Sequence, residues 1–390
     1  MSGFVFSSDW HLSYGTWANH PTLVGDSYHS LRQIVDYCIE KNCPLIAGGD
    51  LFDKPVPDPV SVSVMCREMD RMQAEGLPVY FIQGQHERVK RSAMGAAELG
   101  GASEWMGVHA WPTHVHKQTF TIEGKKFYGL DWTPPDRIEE ELAAIPDGTY
   151  FLVCHQVWRE FMGDTICQPE CNLGMVPVVS EVLTGDFHET RTVHNGAYIT
   201  MHSPGSISMR SMGEPADKYF YHFLRQLTDP DIPAPHPPQQ HPMEAIKLQT
   251  RVMAEVTIDT EETLDRFVQY TPEPVSWDTA ELPEELSRPL LRVNYHDDIA
   301  EVYARIIAAV EQHEPAPHLF LYPQRVREDA VEVDGDLRER IRGQGLLGCL
   351  AEVEDENSMV YKTTSRLLQS TDPASELAAI HTEYLEEEAE

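Results

Sequence analysis

Basic residues are scarce in this sequence beside its acidic ones. Among 390 residues there are 30 Lys and Arg against 63 Asp and Glu, a formal net charge of −33. That balance excludes a broad basic surface of the kind that grips nucleic acid by its phosphates. It does not exclude a phosphate-bearing substrate, because bound divalent ions would set the local field. Long apolar runs are missing too: nothing approaches the roughly 20 residues needed to span a bilayer. The hydrophobic content of 41% is that of an ordinary globular protein. There are seven cysteines, an odd number without framework spacing, which excludes a disulfide scaffold and fits a reducing compartment. Cys167 and Cys171, separated by three residues, read better as unpaired loop thiols than as half of a zinc site. The opening MSGFVFSSDWH carries no basic stretch. The expectation is therefore no signal peptide and a cytoplasmic setting, or a host cytoplasm if a phage encodes the chain. No repeat at a solenoid period occurs.

What is present is a recurring kind of strand end. Leu45-Ile46-Ala47 runs into Gly48-Gly49-Asp50 and then Asp53. Phe4-Val5-Phe6 is followed by Ser7-Ser8-Asp9-Trp10-His11, and Val79-Tyr80-Phe81-Ile82 by Gly84-Gln85-His86-Glu87. Phe151-Leu152-Val153-Cys154 meets His155, and Val182-Leu183-Thr184 meets Gly185-Asp186-Phe187-His188. A buried parallel strand that ends in glycine and presents a polar side chain at its C-terminal end is a common way to build an α/β site. Metal ligands collected from successive strand ends explain the five runs together. Trp10 between two of these residues reads as packing, and Trp132 as core rather than as a platform for a base. His194 and His202 read as satisfied histidines, and Arg210 and Lys218 as too thin a cationic footprint for nucleic acid.

The rest of the chain organises around this pattern. Helices are expected over Tyr28–Lys41, capped by Asp26 or Ser27, and over Val60–Glu75, after Pro55, Pro57 and Pro59. Phe120–Ile122 and Lys125–Leu130 read as a hairpin, Arg137–Ala144 as a short helix, and Val193–Ile199 and Tyr219–Leu224 as closing strands. These fill a first domain, residues 1–225. Residues 226–243 hold six prolines and read as an extended linker. Residues 244–325 alternate strand and helix: Ile246–Ile258, Glu261–Tyr270, Leu290–Tyr295, Ile299–Glu311 and His318–Tyr322, a small α/β domain. Residues 326–390 are highly charged, with helix-like pieces at Asp336–Arg342 and Ser375–Glu387 and a solvated acidic end.

Asp9-x-His11, Gly49-Asp50-x-x-Asp53, Gly84-Gln85-His86-Glu87, His155 and Gly185-Asp186-x-His188 together resemble the calcineurin-like metallophosphoesterase superfamily in order and spacing. Pro204-Gly205-Ser206, Met212-Gly213-Glu214 and Lys218-Tyr219 are similar to the end of the nuclease domain in SbcD-type exonuclease subunits. Lys247–Arg251, Glu261–Phe267 and Pro289–Val293 are similar to that family's capping domain. The resemblance implies an α/β fold, a four-layer α/β/β/α core with a smaller α/β cap. It implies two divalent metal ions, manganese or magnesium. One ion would be held by Asp9, His11, Asp50 and His188, and the other by Asp50, Gln85, His155 and Asp186. It makes His86 the general acid that protonates the leaving oxygen. On physical grounds a carboxylate at Asp53 would orient His86, although a helix cap or turn at Asp53 is an equal reading.

Two departures from the family fall on the second ion. Gln85 stands where the family has Asn and Asp186 where it has His, and both favour a hard, oxygen-preferring cation. Three carboxylates, Asp9, Asp50 and Asp186, would meet four positive charges from two ions, so the site itself would be net positive. The resemblance further implies 3′→5′ exonuclease action on DNA ends with endonuclease action nearby. It also implies an SMC-like ATPase partner resembling SbcC, docked by residues 326–390, and dimerisation through the nuclease domain. Two other readings remain open: an enzyme of the same superfamily acting on a small phosphodiester or phosphoprotein, and a structural subunit with a degraded metal site.

Overall fold

The runs read as strands form two six-stranded sheets in a computed structural model. It describes residues 3–15, 23–87, 112–162, 169–176, 179–195, 199–224, 242–270, 282–283, 286–296, 299–312, 316–324, 362 and 366. The chain divides into Met1–Gln324 and Arg325–Glu390. The expected helices at 336–342 and 375–387, most of the expected linker and Cys167 lie outside the described residues.

In the first sheet, β1 (Gly3–Ser7), β2 (Leu45–Gly48), β3 (Val79–Ile82) and β4 (Thr113–His114) run parallel, in that order. Antiparallel β11 (Tyr219–Leu224) and β12 (Met243–Lys247) extend it beyond β1. In the second sheet, β6 (Lys125–Leu130), β7 (Phe151–His155), β8 (Glu181–Gly185) and β10 (Ile199–Ser203) are parallel. Antiparallel β5 (Thr119–Ile122) and β9 (Arg191–Asn195) form its edges. Such strands are mostly apolar because both faces are covered; β1, β2, β7 and β8 are buried at every position.

The buried residues sort into three layers of packing. Phe4, Phe6, Ile46 and Ile82 of the first sheet meet Phe127, Phe151, Val153 and Leu183 of the second. The Phe4 and Phe127 rings meet edge to face at 5.1 Å, a favoured aromatic geometry. Behind the first sheet lie helices α1 (Asp26–Lys41) and α2 (Pro59–Ala74), through Leu31, Ile34, Val35, Met65, Met69 and Met72. Behind the second lies α3 (Ile138–Ala143), through Ile138 and Leu142. The order is α/β/β/α, as the resemblance implies.

Three local outcomes differ from the sequence reading. Val193–Ile199 is not one strand: β9 and β10 pair antiparallel, with Thr192 opposite His202. In the sequence, the Asn195-Gly196 dipeptide is a pair that could have signalled a hairpin. Ile246–Ile258 is not one strand either. Met243–Lys247 joins the first sheet, and the small α/β layer begins at β13 (Met253–Ile258). Its neighbours are β14 (Leu290–His296) and β15 (His318–Gln324), all parallel. Helices α4 (Glu261–Tyr270) and α5 (Val302–Val310) contribute to its core through Leu264, Phe267, Val302 and Ile306. Finally, α1 is preceded at its N-cap by Gly25, at φ 88°, and not by Asp26 or Ser27.

Asp26 has a different task. Arg251, buried between β12 and β13, reaches its carboxylate through Nε at 2.9 Å and a terminal nitrogen at 3.0 Å. It also donates to the Arg288 carbonyl at 2.8 Å. A buried charge stripped of its partner is costly. Arg251→Ala or Asp26→Ala is therefore expected to lower unfolding free energy by about 3–5 kcal/mol, read by urea titration. Arg251→Ala should be the more disruptive, because it also leaves the Arg288 carbonyl without that donor.

Candidate metal centre

Every ligand candidate sits at, or just beyond, the C-terminal end of a parallel strand, where two sheets lying face to face bring their ends together. Asp9 and His11 follow β1, Asp50 follows β2, Gln85 and His86 follow β3, His155 ends β7, and Asp186 and His188 follow β8. The backbone is bent sharply for this. Asp9 (φ 52°), His11 (φ 41°), Asp50 (φ 49°) and Asp186 (φ 77°) all adopt the left-handed region. Non-glycine residues hold that conformation only where the surroundings impose it, and such residues cluster at functional sites.

The side chains converge in two overlapping groups. Asp9, His11 and His188 offer ligand atoms within 4.8 Å of one another, and so do Asp9, Asp50 and His155. His11 Nε2 and His188 Nε2 are 3.2 Å apart, and Asp9 Oδ1 lies 3.7 Å from His188 Nε2. His155 Nε2 lies 3.3 Å from Asp50 Oδ2 and 3.9 Å from both Asp9 Oδ1 and Asp186 Oδ1. Asp50 Oδ2 is also 3.6 Å from His11 Nε2, so one oxygen faces both groups. The Gln85 amide nitrogen donates to Asp186 Oδ1. The two positions that depart from the family pattern therefore contact each other.

The donor set fits divalent cations. Asp50 Oδ2, His155 Nε2 and Gln85 Oε1 are buried without a hydrogen-bond partner, which is rare for polar atoms unless an ion or water completes them. The local field points the same way. Burial works against a charged His155, yet the carboxylates of Asp50, Asp9 and Asp186 hold its affinity for a proton well above the ordinary value. Burial also pushes the Asp50 carboxyl up, but His155, His11 and His86 together hold it below the usual carboxylate range. Burial raises Asp9, against the pull of His155 and His188, and lowers His11 well below a free histidine. A centre that draws a proton onto a fully buried imidazole is one that favours a cation.

Backbone approach shapes the cluster. His155 Nδ1 donates to the Gly48 carbonyl at 2.7 Å, which leaves Nε2 facing the carboxylates. A Cβ at Gly49, at φ 94°, would lie 2.5 Å from His155 Nδ1, and one at Gly185 would lie 2.4 Å from the same atom.

His86 and Asp53 stand at the edge of the cluster, grouped with His11. The His86 side chain is 38% exposed and its Nε2 is 4.0 Å from Asp50 Oδ2. The contact that orients it comes from the Asp53 main-chain carbonyl, 3.0 Å from His86 Nδ1, and not from the carboxylate. The Asp53 carboxylate pairs with Arg210 and lies 3.6 Å from His11 Nδ1. Nor is Asp53 a helix cap: Asp58 caps α2, accepting from Ser61 N at 2.9 Å.

Four supporting residues were not assigned roles from the sequence. Glu87, 2% exposed, accepts from the main-chain N–H groups of Leu51 at 2.7 Å, Phe52 at 3.2 Å and Gly84 at 3.0 Å. It thereby clamps the Asp50 and Gln85 loops together. Burial, helped by the Asp50 charge, pushes its carboxyl up to about 8. Arg210 lies between Asp53 and His11, with a terminal nitrogen 3.2 Å from His11 Nε2. Glu214 meets His188 Nδ1 at 3.2 Å, and Lys218 is buried against Glu214. Burial raises the Glu214 carboxyl, but His188 and Lys218 bring it down to about 2. Their positions in the chain were visible; their contacts were not. His202, set aside from the sequence, is a buried partner of Glu181 at 3.2 Å.

No protein-family model matches the chain. Among curated proteins it is similar to the DNA double-strand break repair protein Mre11 of Archaeoglobus fulgidus, 26% identical over 89 residues. It is likewise similar to the protein of the same name from Thermoplasma acidophilum, 31% identical over 85 residues. These matches cover 23% and 22% of this chain and 20% and 22% of the two relatives. A longer match, 24% identical over 226 residues, is to the uncharacterized metallophosphoesterase YhaO of Bacillus subtilis, covering 53% of this chain and 51% of that one. The chain thus spans about half or less of the curated relatives it matches. Among solved structures it is similar to a 5′-nucleotidase from Candida albicans, at 13% identity and a TM-score of 0.32 over 80% of this chain and 58% of the other. A likeness at that level carries no weight for fold or function.

Proposed function

We infer the activity from one premise: the chain belongs to the calcineurin-like metallophosphoesterase superfamily. We propose that it is a metal-dependent DNA nuclease, acting on phosphodiester bonds at or near duplex ends in a 3′→5′ sense. The observation that carries the hydrolytic part is the shared corner of Asp9, Asp50, His11, His155 and His188, within 4.8 Å in overlapping groups. The DNA part is supported by the names of the two archaeal relatives and by the likeness of residues 204–219 to SbcD-type subunits.

Asp9, His11, Asp50 and His188 would hold one divalent ion, and Asp50, Gln85, His155 and Asp186 the other. Two such ions, manganese or magnesium, would supply an acidified water and a counter-charge for the phosphate oxygens. The chain's own residues do the rest. Asp50 Oδ1 accepts from His86 N at 3.0 Å, so the residue facing both groups also fixes the acid. The Asp53 carbonyl accepts a hydrogen bond from His86 Nδ1–H, which orients the ring; in its doubly protonated form the imidazolium would give the Nε2 proton to the departing oxygen and keep the Nδ1 proton.

His86→Ala is therefore expected to slow release of nucleotides from a duplex about 10²–10⁴-fold. Cleavage of bis-p-nitrophenyl phosphate should change far less, because p-nitrophenolate departs without a proton. Equal losses on both substrates would remove His86 from the role of acid.

A partner is part of the proposal. An SMC-like ATPase resembling SbcC would dock on residues 326–390, which apart from 362 and 366 lie outside the described residues, and would bring the basic surface that a chain of net charge −33 lacks. A homodimer through the nuclease domain belongs to the same reading. The test compares manganese-dependent nucleotide release from duplex ends with cleavage of bis-p-nitrophenyl phosphate, alongside anomalous scattering at the manganese edge from soaked crystals. Turnover of the small diester alone would favour a non-DNA phosphodiesterase. Absence of both bound manganese and turnover would favour a structural subunit.

A further inference from the structure

The three histidines of the cluster are secured in three different ways. His155 donates its Nδ1 proton to a neutral main-chain carbonyl, Gly48 O, at 2.7 Å. His11 Nδ1 is buried and has no hydrogen-bond partner. His188 alone of the three meets a carboxylate at hydrogen-bond distance through Nδ1, Glu214 Oε1 at 3.2 Å.

Glu214 is itself anchored. Its second oxygen accepts from Lys218 Nζ at 2.8 Å and from Ser206 Oγ at 3.1 Å. Lys218 Nζ also donates to Ser206 Oγ at 2.8 Å. Lys218 and Ser206 are each 1% exposed. Lysine is among the residues least often fully buried, and then almost always with a counter-charge. These residues lie on the strap, residues 204–218, that crosses from β10 of the second sheet to β11 of the first. The strap also touches both ligand loops through its backbone: Ser206 N donates to His188 O at 3.3 Å and Ile207 N to Asp9 O at 3.4 Å.

We propose that Glu214, with Lys218 as its buried counter-ion, is a positioning residue that fixes the tautomer of His188 and makes the Asp9–His11–His188 position the tighter of two unequal cation sites. The inference rests on the reading above that the cluster holds two divalent ions. With Nδ1–H committed to Glu214, the His188 lone pair is on Nε2, the nitrogen that faces Asp9 Oδ1 at 3.7 Å and His11 Nε2 at 3.2 Å. An imidazole whose distal N–H meets a carboxylate is a more basic ligand than one bound to a carbonyl. The Asp50–His155 position has only the carbonyl. Loading should accordingly be stepwise, with the His188 side filling first.

Calorimetric titration of the full chain with manganese chloride tests this, with thermal unfolding in the absence of manganese as the second readout. The wild type is expected to bind in two resolved steps. Glu214→Gln, close to isosteric, should weaken the tighter step about 10–100-fold and leave the weaker step essentially unchanged. Glu214→Gln combined with Lys218→Met, which removes both buried charges together, should show the same selective loss and guards against a single variant that fails to fold. A lower melting temperature with both steps intact would make the pair merely structural and overturn the proposal. So would equal weakening of both steps, or no change in either. A wild type that binds no manganese would instead overturn the two-cation reading beneath it, a result distinguishable from all of these.

Discussion

Asp50→Asn is expected to abolish turnover, by about a thousandfold or more, and to remove the rise in melting temperature that manganese gives the wild type. The substitution keeps the volume of the side chain and an oxygen able to accept from His86 N, 3.0 Å from Oδ1 in the wild type. What it removes is charge at the one oxygen that lies 3.3 Å from His155 Nε2 and 3.6 Å from His11 Nε2. Stabilisation of transition-state charge by bound ions is worth several kcal/mol, and each ~1.36 kcal/mol is a factor of ten in rate. Ligands that bind only the folded state raise its stability by mass action, so a differential thermal scan with and without manganese reads occupancy independently of catalysis. If Asp50→Asn keeps both the manganese-induced shift and more than a tenth of wild-type turnover, Asp50 is not the shared ligand.

Gly84→Ala should do nearly as much harm without replacing any ligand residue. A Cβ at Gly84 would lie 2.0 Å from Asp50 Oδ1 and 2.7 Å from Asp50 N. The carboxylate cannot step aside freely, since Glu87 pins Gly84 N at 3.0 Å and Leu51 N at 2.7 Å. Overpacking a rigid interior costs about 1–3 kcal/mol, and a misplacement of about 1 Å at reacting groups costs about 100-fold in rate. The expected result is at least that loss of turnover, with the manganese-induced thermal shift much reduced. Gly76→Ala is the matching control. Gly76 has φ 67° with nothing within 4 Å of a built Cβ, so it should pay only the left-handed backbone cost, about 1–2 kcal/mol, and leave turnover alone. Equal activity of the two variants would mean that Gly84 sits in a looser corner than its contacts indicate.

Both expectations come from strand ends that were legible before any coordinates. Apolar runs closed by glycine and a polar residue mark where parallel strands stop, and a local pattern needs no partner to be read. The layer order came from the resemblance to the metallophosphoesterase superfamily, and the strands buried on both faces agree with it. The β9–β10 hairpin was misread because Val193 and Ala197-Tyr198-Ile199 were joined into one run across His194 and the Asn195-Gly196 dipeptide. β12 was assigned to the small α/β layer because sequence adjacency to β13 says nothing about which edge a strand joins.

By itself, then, the sequence determined which side chains are offered at strand ends and in what order they come. Only the tertiary structure decided who holds them. Glu214 meets His188 across 26 positions, Glu87 meets Leu51 across 36, and Arg210 meets Asp53 across 157. At Asp53 the group that orients His86 is a carbonyl that every residue possesses. A carboxylate on a loop has the same composition whether it faces water or an imidazole, and a backbone oxygen has no signature at all. The physical reason is that strand patterning is set by neighbours two residues apart, whereas the support of a ligand is set by whatever the closing sheets bring within 3 Å of it.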